Sequence, residues 1–281
     1  MSTSFISELF SRRPKYTLKA GGKDEVSMIV YIMEKLKLII FKEKPNYVLV
    51  FGDTTSALAA SITAKKLNIP VRVDDTIGSN LNINSLEHAD IVFTSLTKIF
   101  SGSGDILAGS LILNPKSRWI NQFRNALKEI NLPILSEGDI VSLEKVSRDV
   151  KQRVFKQNKA CLELKKRLEN HKEIKNIFHP ENCPNFNSIL TSHGGYGCLL
   201  SFELKGGIEK AKKFYDSLQI SKGPSLGTNF TLVCPYVLLA HYDELEWAES
   251  FGIPSHLLRV SVGIEDKDHL WSTFSEALNN F

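Results

Sequence analysis

From Asp24 to Phe41 the apolar residues Val26, Ile29, Ile32, Met33, Leu36, Leu38, Ile39 and Ile40 recur at roughly helical spacing, which predicts a helix packed on a sheet. Then the period changes. Tyr47 to Phe51, YVLVF, is a short apolar run that predicts a buried strand, and Gly52-Asp53-Thr54-Thr55 turns directly from it into a second helical pattern at 56–67. Ile69-Pro70-Val71-Arg72-Val73 predicts the next strand. Strand, helix and strand at this spacing build an α/β unit with parallel strands.

A third strand at 90–95 and a fourth around 110–113 continue the sheet. Residues 119–129 and 139–169 follow as helical stretches, the second long and lysine-rich, suited to linking two domains. Beyond it, 174–179, 197–204 and 257–262 read as strands that alternate with helices at 208–218 and 268–280, a small C-terminal α/β domain. There is no internal repeat, low-complexity tract or heptad array.

Composition narrows the class only a little. The 281 residues are 42% hydrophobic and 23% charged, an ordinary globular balance with room for one large domain or two smaller ones. The net charge of +4 is spread along the chain. Basic clusters at 35–37, 42–44 and 210–213 are interleaved with acids and apolar residues, the pattern of solvated helix faces, so no nucleic-acid partner is expected. Cys161, Cys183, Cys198 and Cys234 contain no CxxC pair and no histidine at zinc spacing, which predicts neither a metal site nor a disulfide framework and fits a reducing cytoplasm. The first residues, MSTSFISELFSRRPK, lack a signal-peptide apolar core, and no stretch reaches the roughly 20 apolar residues that span a bilayer. A soluble, cytoplasmic protein without a membrane partner is the expectation.

Two strand ends carry the chemistry. VDDTIGS at 73–79 and TSLTKIFSGSGD at 94–105 each begin where an apolar strand stops, at the sheet edge where α/β proteins bind ligands. An enzyme using pyridoxal 5'-phosphate (PLP) needs a lysine to hold the aldehyde as an imine, an acid to keep the pyridine nitrogen protonated, and donors for the phosphate. All are present. Lys98 is the candidate imine lysine, catalytic and cofactor-binding at once. Asp74 is the candidate partner of the ring nitrogen, with Asp75 its rival because strand alternation turns only one of the two toward the cofactor. Ser95 and Thr97 offer hydroxyls to the phosphate, and Ser101 to Gly104 let the chain turn away sharply. The bland alternative is a strand end with a solvent lysine, and it is weakened by the nearby acid.

These segments resemble the Cys/Met-metabolism PLP-dependent enzymes, and within them a cystathionine γ-synthase-like branch of fungal type. V-D-D-T precedes S-L-T-K and a glycine-containing turn here, and the likeness continues through Gly197 to Phe202, Gly223 to Thr228, Cys234 to Tyr242 and Leu258 to Asp266. The resemblance implies a fold-type I PLP-dependent transferase-like α/β architecture, with a truncated large domain built on a parallel-type sheet and a small C-terminal α/β domain. It implies that Arg259 clamps a substrate α-carboxylate and that Ser225 supplies a backbone contact beside it. It also implies amino-acid substrates, a homo-oligomer, and γ-replacement on an activated homoserine by cysteine in transsulfuration and methionine biosynthesis, without separating that outcome from elimination.

Members of the family carry a longer stretch before the imine lysine, including a Y-S-R-x-x-N-P-T-like segment and an S-G-M-like turn that find no match in this chain. Residues 20–71 instead resemble a fragment of the non-hydrolysing UDP-N-acetylglucosamine 2-epimerases, through Ile32 to Leu36, Lys42 to Asn46, Gly52 to Thr55 and Lys66 to Val71. The expected division is therefore an epimerase-like segment at 1–72, the latter part of a PLP-binding large domain at 73–150, and a linking helix with the small domain at 151–281. Gly52 to Thr55, at a helix N-terminus, is either a plain loop that turns strand into helix or a source of backbone N–H groups for the cofactor phosphate in place of the missing turn. A catalytically incompetent mosaic or truncated chain that keeps the PLP-family fold is the alternative, and an epimerase-related protein the third.

Overall fold

The computed structural model describes residues 15–20, 24–50, 55–130 and 135–280. Helix α1, Glu25–Glu43, starts where the Asp24 side chain accepts the Ser27 N–H at 3.0 Å and stops at Lys44, whose φ of 48° is left-handed. Strand β1, Val48–Val50, leads to α2, Thr55–Lys66. Ala57, Ala60 and Ala64 line one face of α2, and their small side chains let the helix lie close on Val48, Val50, Val71 and Val73 of the sheet. Most of the Gly52 to Thr55 phosphate candidate lies outside the described residues.

Strand β2, Val71–Asp74, is central. It pairs in parallel with β1, Val50 opposite Val73, and with β3, Ile91–Ser95, Asp74 opposite Phe93. The fourth strand, β4 at Gly109–Leu113, joins as expected but runs antiparallel to β3. One strand thus spans the 72/73 join between the two expected segments. Arg72 lies on the opposite face from Val71 and Val73, with its guanidinium carbon 3.5 Å from the Tyr47 ring centroid and 5.9 Å from that of Phe123. Phe123 belongs to α3, Ile120–Glu129.

The long helical stretch breaks in two, α4 at Glu137–Ser147 and α5 at Val150–Glu169. A continuous helix would bond the Val146 carbonyl to the Val150 N–H. Here that carbonyl accepts Arg153 at 3.1 Å instead, so the break has a definite chemical occupant.

A second sheet packs on α5. Its strands are β5 Ile174–Phe178, β6 Leu199–Leu204, β7 Ser221–Lys222, β8 Leu232–Pro235 and β9 Leu258–Ser261, in the order β5-β6-β9-β8-β7, antiparallel except for β7 with β8. Short helices α6 (Pro184–Ser188), α8 (Tyr236–Ala240) and α9 (Leu245–Glu249) join α7 (Gly207–Ser217) and α10 (Lys267–Asn279) around it. The core of this unit gathers Leu164 and Leu168 of α5, Phe202 and Val260 of the sheet, Phe214 of α7 and Phe274 of α10. Phe214 meets Phe202 edge-on at 5.7 Å and Phe274 at 6.1 Å between ring centroids.

Candidate functional site

Lys98 sits in a five-residue π-turn, Leu96–Phe100, that interrupts helical geometry at the lysine itself, with φ −89° and ψ −115°. Two bonds hold the turn: the Ser101 N–H donates to the Leu96 carbonyl at 2.9 Å and the Gly102 N–H to the Lys98 carbonyl at 3.0 Å. Gly102 and Gly104 then take φ of 72° and 75°, where a side chain would be strained, and the chain leaves the site.

The Lys98 amine donates to Ser225 Oγ at 3.1 Å, across 127 positions of sequence. Ser225 lies on the loop that precedes β8, so this bond joins the lysine of the first sheet to the second. From β9, Arg259 donates through Nη2 to the Pro224 carbonyl at 2.5 Å and the Ser225 carbonyl at 3.3 Å. Its guanidinium also lies 5.1 Å from the Tyr236 ring centroid. Lys98, Ser225 and Arg259 therefore form one connected group, which Ser225 joins through both its hydroxyl and its carbonyl.

The two aspartates at the end of β2 part company. Asp74 Oδ1 accepts the Thr76 N–H at 2.9 Å, which turns the chain and leaves Oδ2 without a hydrogen bond among the described residues. Thr76 Oγ1 accepts the Ser95 N–H at 2.9 Å, so the acid's turn is tied to the strand end that leads into the lysine. Asp75 is buried, and neither of its carboxylate oxygens has a hydrogen-bond partner. Burial drives its carboxyl from the ordinary 3.8 up to about 7, and the charge of Asp74 adds to the rise. The Ser85 hydroxyl and Ser79 N–H act the other way, close enough to favour the anion without forming hydrogen bonds to it.

Ser95 keeps its hydroxyl uncommitted among the described residues. Thr97 Oγ1 accepts the Ala108 N–H at 3.3 Å and faces the Ala108 carbonyl at 3.5 Å, so any phosphate would compete with an existing contact. A primary amine, an acid with a free oxygen, a free hydroxyl and a tight glycine turn make a donor set that fits PLP. Among the described residues no group of three metal-ligating side chains occurs. All four cysteines are unpaired. Nor, among those residues, is any helix long and apolar enough to cross a membrane.

The polar residues that hold this site together had a faint signal in the sequence. Arg153 and Gln157 stand four apart on α5, on the same buried side as Val154, Cys161 and Leu164. Two polar residues at core positions one turn apart are a mark of buried hydrogen bonding. Asn229, in the loop after Ser225, carries no such mark.

An α/β scaffold that presents one lysine between two sheets, beside an arginine and near an acid, is the frame of a lysine-dependent cofactor enzyme. The chain belongs to the Cys/Met metabolism PLP-dependent enzyme family, whose model matches residues 3–279. It is 41% identical over 218 residues to the cystathionine gamma-synthase of Neurospora crassa, covering 76% of this chain and 35% of that protein. With the Saccharomyces cerevisiae cystathionine gamma-synthase it shares 37% identity over 283 residues, covering 95% of this chain and 44% of the yeast protein. The chain thus spans less than half the length of either relative. Among solved structures, a cystathionine gamma synthase from Xanthomonas oryzae pv. oryzae, crystallised with cystathionine, superimposes with a TM-score of 0.71 at 22% identity, covering 87% of this chain and 66% of that one. That likeness places the fold with the fold-type I enzymes. Because the family match and the yeast alignment run through residues 20–71, the likeness of that segment to the 2-epimerases finds no support. Short α/β segments of Gly, Asp, Thr and Ile-Pro-Val type recur across unrelated folds, since strand-to-helix turns ask for the same residues.

Proposed function

We propose that the chain is a cystathionine γ-synthase-like PLP-dependent protein of sulfur amino-acid metabolism, acting by γ-replacement on an activated homoserine with cysteine. The observation that carries this reading is the 3.1 Å bond from Lys98 Nζ to Ser225 Oγ, with Arg259 on the two carbonyls beside it. It ties an amine and a guanidinium to the same serine.

When bound, PLP supplies an electron-withdrawing ring that stabilises negative charge on the substrate's carbon. Lys98 would hold the cofactor through Nζ, and the same nitrogen, placed by its bond to Ser225 Oγ, would carry protons to and from the substrate carbons. Asp74 would offer Oδ2 to the ring nitrogen, where a charge-assisted bond would favour the protonated ring. Ser95 would hold the phosphate through its free hydroxyl, and Thr97 would do so in exchange for its contacts to Ala108. Arg259 binds the substrate α-carboxylate with the N–H groups not spent on Pro224 and Ser225, a planar fork suited to a planar acid. We read residues 151–281 as the linking helix and small domain that bring Ser225 and Arg259 to the lysine, and a homo-oligomer in the cytoplasm as its working state.

Titrating purified protein with PLP should produce the visible band of lysine-bound cofactor, and Lys98→Ala should abolish it. A band that survives that substitution, or none with the wild-type chain, refutes the proposal. One observation favours a second reading, a fold kept without turnover: Val26, Val30, Leu38 and Phe41 of α1 are exposed, an apolar face of the kind that meets another polypeptide. On that reading the protein associates but takes up no cofactor.

A further inference from the structure

Arg153 has no part in the reaction proposed above, yet it is the most completely engaged cation near the lysine. It is 5% exposed. Its Nε donates to Asp149 Oδ1 at 2.8 Å. Nη1 donates to the Ile99 carbonyl and to Asn229 Oδ1, each at 3.3 Å, while Nη2 donates to the Phe100 carbonyl at 2.7 Å and the Val146 carbonyl at 3.1 Å. A guanidinium has five N–H donors, so none is left over.

The partners are chosen by position. Ile99 and Phe100 are the two residues after Lys98, and their carbonyls lie inside the π-turn, where helical bonding is interrupted. Asn229 is four residues after Ser225, and its own N–H donates to the Gly102 carbonyl at 2.6 Å. One turn further along α5, Gln157 donates to the Thr228 carbonyl at 2.9 Å and the Gly227 carbonyl at 3.4 Å. The approach is tight: a Cβ on Gly227 would lie 2.6 Å from the Ile99 nitrogen, and one on Gly102 would lie 2.5 Å from both Arg153 Nη1 and Asn229 Oδ1.

We propose that Arg153 is a positioning residue that clamps the lysine turn to the loop carrying Ser225, and so sets where the Lys98 amine points. The role rests on the reading of Lys98 as the cofactor lysine. Lysine in place of Arg153 keeps the charge but has three donors on one atom, which cannot span carbonyls on three segments. The clamp is then lost while the charge stays.

The test compares wild type, Arg153→Lys and Asn229→Ala, each without cofactor and at a temperature where all are folded. Each is exposed briefly to PLP, reduced with borohydride and mapped by mass spectrometry, and the share of label on Lys98 is compared with that on surface lysines of the same sample. Arg153→Lys should lower that share about tenfold, the rate equivalent of one lost charge-assisted contact, and Asn229→Ala about threefold. A residue that only supports folding would lower the melting temperature and leave the ratio unchanged. An unchanged ratio in both variants overturns the proposal. Hydrogen exchange provides a readout without PLP: the amides of Ser101, Gly102 and Asn229 should exchange faster in Arg153→Lys while those of β5 and β6 do not, and an unchanged or uniform rate also overturns it. Wild-type Lys98 that takes no more label than a surface lysine counts against the proposed function, and the exchange result then decides for the clamp alone.

Discussion

Asp75 should make the protein less stable as the pH rises, and replacing it with asparagine should remove that loss. The carboxyl is 2% exposed, has no hydrogen-bond partner on either oxygen, and lies beside the charge of Asp74. Burial, the largest cause, raises it from the ordinary 3.8 to about 7. Below about pH 4 the folded and unfolded chains both hold the proton, and Asp75 has no effect on stability. Between about pH 4 and 7 the unfolded chain gives the proton up while the folded chain keeps it, so stability falls with rising pH. Above about 7 both are ionised and the loss is complete. A rise of this size corresponds to about 4 kcal/mol at most, each tenfold in proton affinity being about 1.4 kcal/mol. Urea unfolding of wild type and Asp75→Asn at pH 5 and pH 8 measures it. The amide has nearly the same shape and no charge, and comparing the variant with wild type at both pH values cancels any packing penalty common to them. With a slope of about 3 kcal/mol/M, the variant should gain up to about 1 M in midpoint relative to wild type between the two conditions. A difference between the proteins that is the same at pH 5 and pH 8 would show that the folded chain lets water or a cation reach Asp75, and would refute the reasoning.

Three other outcomes follow from the packing. Gly227→Ala should cost about 3 kcal/mol or more, because its φ of 77° is left-handed and the new methyl would meet the backbone of Ile99; Gly252→Ala, at φ 73° with open space around it, should cost only the backbone strain of about 1–2 kcal/mol, so equal losses by urea unfolding would be wrong. Phe214→Ala removes a fully buried ring between Phe202 and Phe274 and should cost about 3–5 kcal/mol by the same assay, unless the small domain collapses around the hole. Under the proposed function, Arg259→Lys replaces the fork that holds Pro224 and Ser225 with a single nitrogen and should raise KM for an amino-acid substrate about tenfold or more, with little change in melting temperature.

The strands at 47–51, 69–73, 90–95 and 110–113 were legible because each is an apolar run closed by turn residues, and that signal is local. Direction is not local, so nothing in 110–113 says that β4 runs antiparallel to β3. The short strand Leu232–Pro235 was hidden for another reason: three apolar residues ending at a proline are too few to show a period. The break between α4 and α5 escaped because the helical pattern of 139–169 continues through it, and what interrupts it is a side chain three residues into the following helix.

The candidate site divides along the same line. Lys98, Asp74, Ser95 and Thr97 stand within 25 positions at two strand ends, where residue type and placement carry the chemistry. Ser225 and Arg259 are more than 120 positions from Lys98, and only the resemblance brought them in. The adjacent pair Asp74 and Asp75 shows what physical reading adds. Strand alternation says that the two must face apart, but not which of them is buried without a partner. The structure makes Asp75 the costly one and leaves Asp74 half-buried with an oxygen to spare. An acid proposed to face a cationic ring needs an oxygen free to reach it, and Asp74 has one beside the oxygen that accepts the Thr76 N–H. At Asp75 burial opposes the charge, so the proposal of Asp74 over Asp75 rests on burial as well as on motif.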